Sequence, residues 1–113
     1  MRVWFRSLCA PRGTAAYDLT SVVTAGTTYQ TRFFVTIGGV ASAPVNITRK
    51  FSCAGESDSY AWVSSSASVV DGVWAELSGA LAVPNCELTN VLIYAEGPPA
   101  GVDLYVDDVV VSP

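Results

Sequence analysis

Residues 28–39 read "TYQTRFFVTIGG". Tyr29, Thr31, Phe33, Val35 and Ile37 fall on one side of this run, and Gln30, Arg32, Phe34 and Thr36 fall on the other. A repeat of two is the mark of a half-buried strand, because successive side chains leave opposite faces of the backbone. β-branched and aromatic residues suit that pleated surface. Gly38-Gly39 then breaks the run. The stretch predicts a strand over 28–37.

Other runs extend the pattern in both directions. Val45 to Phe51 alternates Val45 and Ile47 against Asn46 and Thr48. Tyr60 to Ser64 sets Tyr60 and Trp62 opposite Ala61 and Val63. Asp71-Gly72 is a turn signal. Trp74 to Val83 follows, with Leu77, Gly79 and Leu81 in phase and Trp74 out of phase with them. Leu88 to Glu96 places Val91, Ile93 and Ala95 on one face, and Asn90, Leu92, Tyr94 and Glu96 on the other. Val102 to Val111 closes the chain. Short β runs punctuated by Gly, Pro, Ser and Asn, with almost no helical periodicity, indicate a β-sandwich or barrel.

The last run carries an irregularity. Leu104 and Val106 are in phase, as are Val109 and Val111, but the two pairs are out of phase with each other. A β-bulge at Asp107-Asp108 restores the inward direction and re-aims a carboxylate.

Bulk composition narrows the function. The 113 residues suit one domain, 1–113, and half of them are apolar, enough for a core. The net charge of −4 and the scattered basic residues argue against nucleic acid. The chain has no histidine, so the commonest general base and zinc ligand are missing. Cys9, Cys53 and Cys86 form no CxxC pair and allow at most one internal disulfide; they read as small buried apolar residues. Asn46-Ile47-Thr48 is a glycosylation sequon of the kind that also arises by chance. No stretch approaches the roughly 18 apolar residues of a membrane helix, so no membrane contact is expected. In "MRVWFRSLCAPRG", Arg6 interrupts the apolar run, and no signal peptide is read there.

Three stretches, "AGTTYQTRFFV", "DGVWAELSGAL" and "LIYAEGPPAGVDLYVDDVVV", follow one another at distances that point to a family. From Tyr17-Asp18-Leu19-Thr20 to the C-terminus the chain resembles the carbohydrate-binding modules of families 4, 9 and 22, which are appended to secreted xylanases and glucanases. The carriers of the resemblance are Gly-x-x-Tyr, Asp-Gly-x-Trp-x-x-Leu-Ser-Gly, Tyr-x-Glu-Gly-Pro and Tyr-Val-Asp-Asp. The resemblance implies an all-β jelly-roll sandwich of the galactose-binding-like type, binding a polysaccharide such as xylan or a β-glucan on one concave sheet. It also implies a structural calcium ion, an extracellular location, and a covalently linked catalytic domain in a longer parent protein. Two departures stand out. The family's opening Asn-x-Gly-Phe-Glu segment, its first strand, has no counterpart here. Where xylan-binding members carry a Trp, simple offset places Arg12.

The resemblance implies Tyr94, Glu96, Tyr60 and the Arg12 position for sugar, and Asp107 for calcium. The chemistry of the residue types agrees. A pyranose has an apolar C–H face that rests on an aromatic ring and a rim of hydroxyls that need fixed polar partners. Tyr94 and Glu96 share a strand face about 7 Å apart, and a carboxylate makes the stronger, charge-assisted hydrogen bonds. Arg32 is a further candidate donor. Calcium takes six to eight oxygens in flexible geometry, many of them backbone carbonyls. Trp62 shares the Tyr60 face but reads equally as core, and Trp74, Phe34 and Tyr105 read as core by size. A glycosidase needs two carboxylates flanking one bond in a cleft, whereas the resemblance gives these acids to sugar and calcium, so no catalysis is expected. A structural or adhesive sandwich that has lost its sugar site is the alternative.

Overall fold

The computed structural model describes the backbone of Val3–Phe5 and Leu8–Ala10 and the whole of residues 15–113. Arg12 lies outside the described residues, as does the Cys9 side chain. Among the described residues nine strands follow in order: β1 (Val3–Phe5), β2 (Leu8–Ala10), β3 (Ala15–Asp18), β4 (Thr28–Gly38), β5 (Ser42–Cys53), β6 (Ser59–Val70), β7 (Ala75–Ala82), β8 (Leu88–Glu96) and β9 (Asp103–Ser112). They form two antiparallel sheets. The first runs β1–β9–β4–β7, with β2 also on β9, and the second runs β3–β8–β5–β6. This is the expected all-β jelly-roll sandwich. Among the described residues no helix is long and apolar enough to cross a membrane.

The alternation read in the sequence decides which face of each strand is buried. Tyr29, Phe33, Val35 and Ile37 of β4 meet Val91, Ile93 and Ala95 of β8 and Val45 and Ile47 of β5 in one core. Tyr17 packs edge-on against Phe33, with ring centroids 5.9 Å apart, and so links β3 of one sheet to β4 of the other. Each fully buried side chain of this size contributes about 1.5–3 kcal/mol. Burial, followed by the negative charge of Asp107, pushes the Tyr17 hydroxyl up to about 12. The phenol therefore remains neutral in the folded protein.

The β-bulge is present. Arg32 pairs with Val110 and Phe34 with Asp107, so the single residue Phe33 faces both Asp108 and Val109. Asp108 takes a left-handed φ of 49°. Leu104, Val106, Val109 and Val111 are consequently all buried.

Four expectations are corrected. Cys53 and Cys86 are not simply buried apolar residues: they form a disulfide across 33 positions. It ties the end of β5 to the loop before β8, and the chain-entropy model puts its contribution at about 4 kcal/mol. Trp74 is 50% exposed rather than core, and Trp62, which read equally either way, is 60% exposed. Phe34 and Tyr105 are half-buried, because their register places them on the outer face of the first sheet. β6 also runs on to Val70, well beyond Ser64, since β5 pairs with it through the serine-rich stretch.

The open edge between the sheets is closed at Gly79. A Cβ there would stand 2.0 Å from the Val63 carbonyl oxygen of β6, so only a glycine lets that backbone approach β7. We expect Gly79→Ala to destabilise the fold by about 3 kcal/mol, the upper end for forced overpacking. Urea denaturation measures this. A loss under about 0.5 kcal/mol, the scatter of neutral surface changes, would show that β6 does not seal the sandwich at this point.

Candidate functional site

The core-facing residues of β8, β5 and β6 fix what the opposite face presents. Thr48 pairs with Tyr94 on one side and with Trp62 on the other, and Tyr94 pairs in turn with Ala16. This makes a transverse row of Ala16, Tyr94, Thr48 and Trp62 across all four strands of the second sheet. The next row is Asp18, Leu92, Lys50 and Tyr60. On the other side of the first row, Glu96 pairs with Asn46.

Between Tyr94 and Trp62 stands only the small Thr48, so the sheet surface dips there. A groove of about 450 Å³ results, lined by Thr48, Tyr60, Ala61, Trp62, Tyr94 and Glu96. The strands carrying Tyr94 and Trp62 lie two spacings apart, about 10 Å. Tyr60 is 58% exposed, so its ring is available to a ligand.

The edge strand β6 is shaped to hold these rings. It spends one extra residue between Ala67 and Ser64 and another between Ser64 and Trp62, relative to β5. Such bulges bend an edge strand and spoil it as a template for other chains. Its start is anchored from below. The Arg49 guanidinium lies 4.4 Å from the Phe51 ring centroid and donates to the Ser59 carbonyl (3.0 Å) and hydroxyl (2.8 Å). Lys50 pairs with Asp58 at 3.6 Å. Tyr60 follows directly.

A buried amide joins the polar part of the groove. Asn46 is 7% exposed. Its oxygen faces the Trp62 indole N–H at 3.3 Å and its nitrogen donates to the Glu96 carbonyl at 3.3 Å; the reverse orientation would set the amide oxygen against that carbonyl. The Thr48 hydroxyl lies 2.8 Å from Asn46 and 2.9 Å from Glu96 Oε1, so its single proton has two acceptors. Gly97 is required here. Its φ is 117°, and a Cβ would fall 2.9 Å from the Asn46 amide and 3.0 Å from the Pro44 carbonyl oxygen. A glycan on the Asn46 sequon would displace this network. Burial, then the charges of Glu96 and Tyr60, raises the Tyr94 pKa, so its hydroxyl stays a donor as well as an acceptor.

Three of the residues read from the sequence thus converge: Tyr94, Glu96 and Tyr60. Arg12 lies outside the described residues. Arg32 does not join them. It stands on the other sheet, 3.9 Å from Glu76 and 5.6 Å from the Phe34 ring centroid. Asp107 is also on the other sheet. It accepts the Asp108 N–H at 2.8 Å. Among the described residues it belongs to no group of three or more Asp, Glu, Cys or His side chains that could hold one ion. The group that does meet that spacing, Cys53, Glu56 and Cys86, has its two sulfurs in the disulfide. Trp62 and Thr48 also line the groove and Asn46 supports it, and none of the three was among the candidates read from the sequence. The alternation of Trp62 with Tyr60 was a usable signal for the first.

A family model described as "Carbohydrate binding domain" matches residues 8–101. The chain belongs to this family. Over 94 residues the module is 29% identical to Endo-1,4-beta-xylanase A of Thermoanaerobacterium saccharolyticum, covering 82% of this chain but about 8% of that protein. The N-terminal CBM22-1–CBM22-2 tandem domain from Paenibacillus barcinonensis Xyn10C superposes with a TM-score of 0.81 at 20% identity, covering 94% of this chain and 38% of that one. The CBM22-1–GH10 modules of a Clostridium thermocellum xylanase, complexed with xylohexaose, give 0.75 at 19% identity over 87% and 19% of the two chains. At these identities the structures establish the same sandwich.

Asn46→Ala removes the buried amide that joins the Trp62 indole N–H to the Glu96 carbonyl and leaves both without that partner. An unsatisfied buried polar group costs about 1–3 kcal/mol. We expect a stability loss of that size in urea, together with faster motion of Trp62 in fluorescence anisotropy. Unchanged anisotropy would remove Asn46 from the support of the groove.

Proposed function

We propose that this module binds a plant polysaccharide, xylan or a related β-glucan, in the groove of the second sheet, and does no chemistry on it. The observation that carries the reading is the convergence of Tyr94, Tyr60 and Trp62 around one open groove with Glu96 at its end. Rings on two flanking strands offer planes for the C–H faces of successive sugar units. Glu96 accepts hydroxyl protons, and the Tyr94 and Thr48 hydroxyls adapt as donor or acceptor. An open groove on a sheet suits a chain that passes through rather than ends there. Xylan is favoured because the relatives include a xylanase, and the structural neighbours include CBM22-1–GH10 modules complexed with xylohexaose and a CBM22 xylan-binding domain. Arg12 takes no part in this reading.

The same comparisons support a role as an accessory to a covalently linked hydrolase in a secreted protein. Holding an enzyme on its polymer raises effective concentration without a new catalytic group. The Cys53–Cys86 disulfide suits an oxidising, extracellular compartment.

We expect Tyr94→Ala, Glu96→Ala and Trp62→Ala each to weaken binding by about 2 kcal/mol or more, the scale of an interface hot spot. Calorimetry with xylohexaose and affinity electrophoresis on a polysaccharide panel measure the loss, with thermal melting as the fold control. Wild-type affinity in both Tyr94→Ala and Glu96→Ala would overturn the site. A wild-type module that binds no member of the panel would return it to a structural or adhesive role.

Calcium at Asp107 is proposed on the Tyr-Val-Asp-Asp ending. The described residues fit it in part: Asp107 offers one carboxylate, and the remaining oxygens must come from backbone carbonyls or from outside the described residues. An ion bound to the folded state raises its melting temperature by mass action. Chelator is therefore expected to lower the melting temperature of the wild type and to leave Asp107→Ala unmoved. A wild type insensitive to chelator would exclude the ion.

A further inference from the structure

The edge between the two sheets is not sealed along its whole length. Gly79 lets the β6 backbone close on β7 at Val63. Towards the start of β6 and the end of β7 the sheets part, and a cavity of about 280 Å³ opens between Ser59 on one side and Ala82 and Pro84 on the other. Arg49 forms part of its inner wall. This arginine shares the strand face of Val45, Ile47 and Phe51, which are buried in the core. A cation on a core-facing position is costly unless its charge is matched.

The guanidinium is held firmly but used only in part. It lies 4.4 Å from the Phe51 ring centroid, and Nη1 donates to the Ser59 carbonyl at 3.0 Å and hydroxyl at 2.8 Å. Among the described residues Nε and Nη2 make no hydrogen bond, and the ion pairs, Arg32–Glu76 and Lys50–Asp58, do not include Arg49. Burial lowers its pKa, as it does for a charge partly stripped of water with no acid to offset the loss. One edge of the fork is anchored, and the other is left for a ligand.

The rest of the cavity discriminates between occupants. The Ser57 hydroxyl lines it, and the Ser59 hydroxyl, which accepts from Arg49, keeps its own proton to donate. Glu56 lines it too. The turn that carries Glu56 is fixed by its N–H on the Cys53 carbonyl at 3.1 Å and by the Ala54 N–H on the Glu87 carbonyl at 2.9 Å, and Cys53 is tied to Cys86. Asp58 in the same turn is paired with Lys50 at 3.6 Å. A bare anion such as phosphate gains Arg49 but meets Glu56 as a like charge. A cation is repelled by Arg49, and a neutral sugar leaves the guanidinium charge unmatched. A sugar acid satisfies every group. Its carboxylate takes the open edge of Arg49 and a serine hydroxyl, and its ring hydroxyls donate to Glu56. At about 280 Å³ the cavity stands at the small end of ligand sites, which suits one sugar unit rather than a chain.

The cavity adjoins the main groove. Ser59 lines the cavity and Tyr60, the next residue, lines the groove. Consecutive strand residues leave opposite faces, so the two sites flank the edge strand β6 at the same level. We propose that the cavity at Arg49 binds the carboxylate of a uronic-acid unit, and that the polysaccharide of this module carries such acidic branches. The main chain then crosses Tyr60, and a branch passes round β6 to Arg49. The branched ligand rests on the reading of the main groove as a polysaccharide site; the acid site does not.

The test follows the Arg49 Nε–H signal in the full 15N-labelled chain, assigned from Arg49→Lys, during titration with D-glucuronate, D-glucose and acetate. Glucuronate is expected to shift this signal with a millimolar midpoint, and acetate and glucose to leave it still at the same concentrations. Ser57→Ala, at an exposed position, weakens the response severalfold without lowering the melting temperature, and Tyr94→Ala leaves it unchanged. In calorimetry, a xylo-oligosaccharide with one glucuronate branch binds about tenfold tighter than its unbranched counterpart, the worth of one charge-assisted hydrogen bond. Arg49→Lys, which keeps the charge but loses the fork, abolishes that advantage, and Ser57→Ala reduces it. An Arg49 signal unmoved by glucuronate overturns the acid site. An equal response to acetate overturns the assignment to a sugar acid. Equal affinity for branched and unbranched oligosaccharides overturns the bridging of groove and cavity. Glucuronate binding by a module that binds no oligosaccharide supports the acid site and refutes the main groove instead.

Discussion

The register of β5 between β8 and β6 is the constraint on which the groove depends. Val45 and Ile47 must face the core, as must Val91, Ile93 and Ala95 of β8. A slip of one residue would turn each of these apolar sets toward water. Holding the inner face therefore fixes the outer one, and Tyr94, Thr48 and Trp62 come into line with no energy of their own invested in the alignment. The core stabilises the fold, and its reverse side presents the groove.

Special residues act where the strands depart from regularity. Gly79 admits the β6 backbone against β7. The extra residues in β6 bend it beside Trp62. Gly97 lets the end of β8 turn tightly over Asn46. Arg49 and the disulfide brace the opposite end of the same strand pair. These devices shape an edge that carries two exposed aromatic rings. Exposed rings on a bent edge strand gain nothing from the core, which is consistent with a role in binding rather than stability.

The two sheets treat acids differently. Glu96 sits at the end of β8 within hydrogen-bonding reach of Thr48, beside a buried amide that links it to Trp62. Asp107 and Asp108 occupy a bulge, where the chain spends an unfavourable backbone angle to bring both to one side. Backbone strain of this kind persists only where its surroundings enforce it. Here the four buried residues Leu104, Val106, Val109 and Val111 supply that enforcement.

The sequence by itself determined the fold class, the places of the strands from β4 onward apart from the length of β6, the bulge at Asp107-Asp108 and the shared face of Tyr94 and Glu96. Each is a matter of period two within one strand, and that period is local. The sequence motifs also singled out Tyr60. Tertiary structure alone decided which strands are neighbours. That is why Thr48 and Asn46 emerged only when β5 lay between β8 and β6, and why Arg32, on a strand with the same alternation, proved to belong to the other sheet. It is also why Trp62 and Trp74 could not be separated from core residues by size: an aromatic ring is buried only if another layer covers its face, and both lie on faces that the sandwich leaves open. The pairing of Cys53 with Cys86 followed for the same reason, since the distance between two cysteines is set by the sheet and not by the 33 positions that separate them.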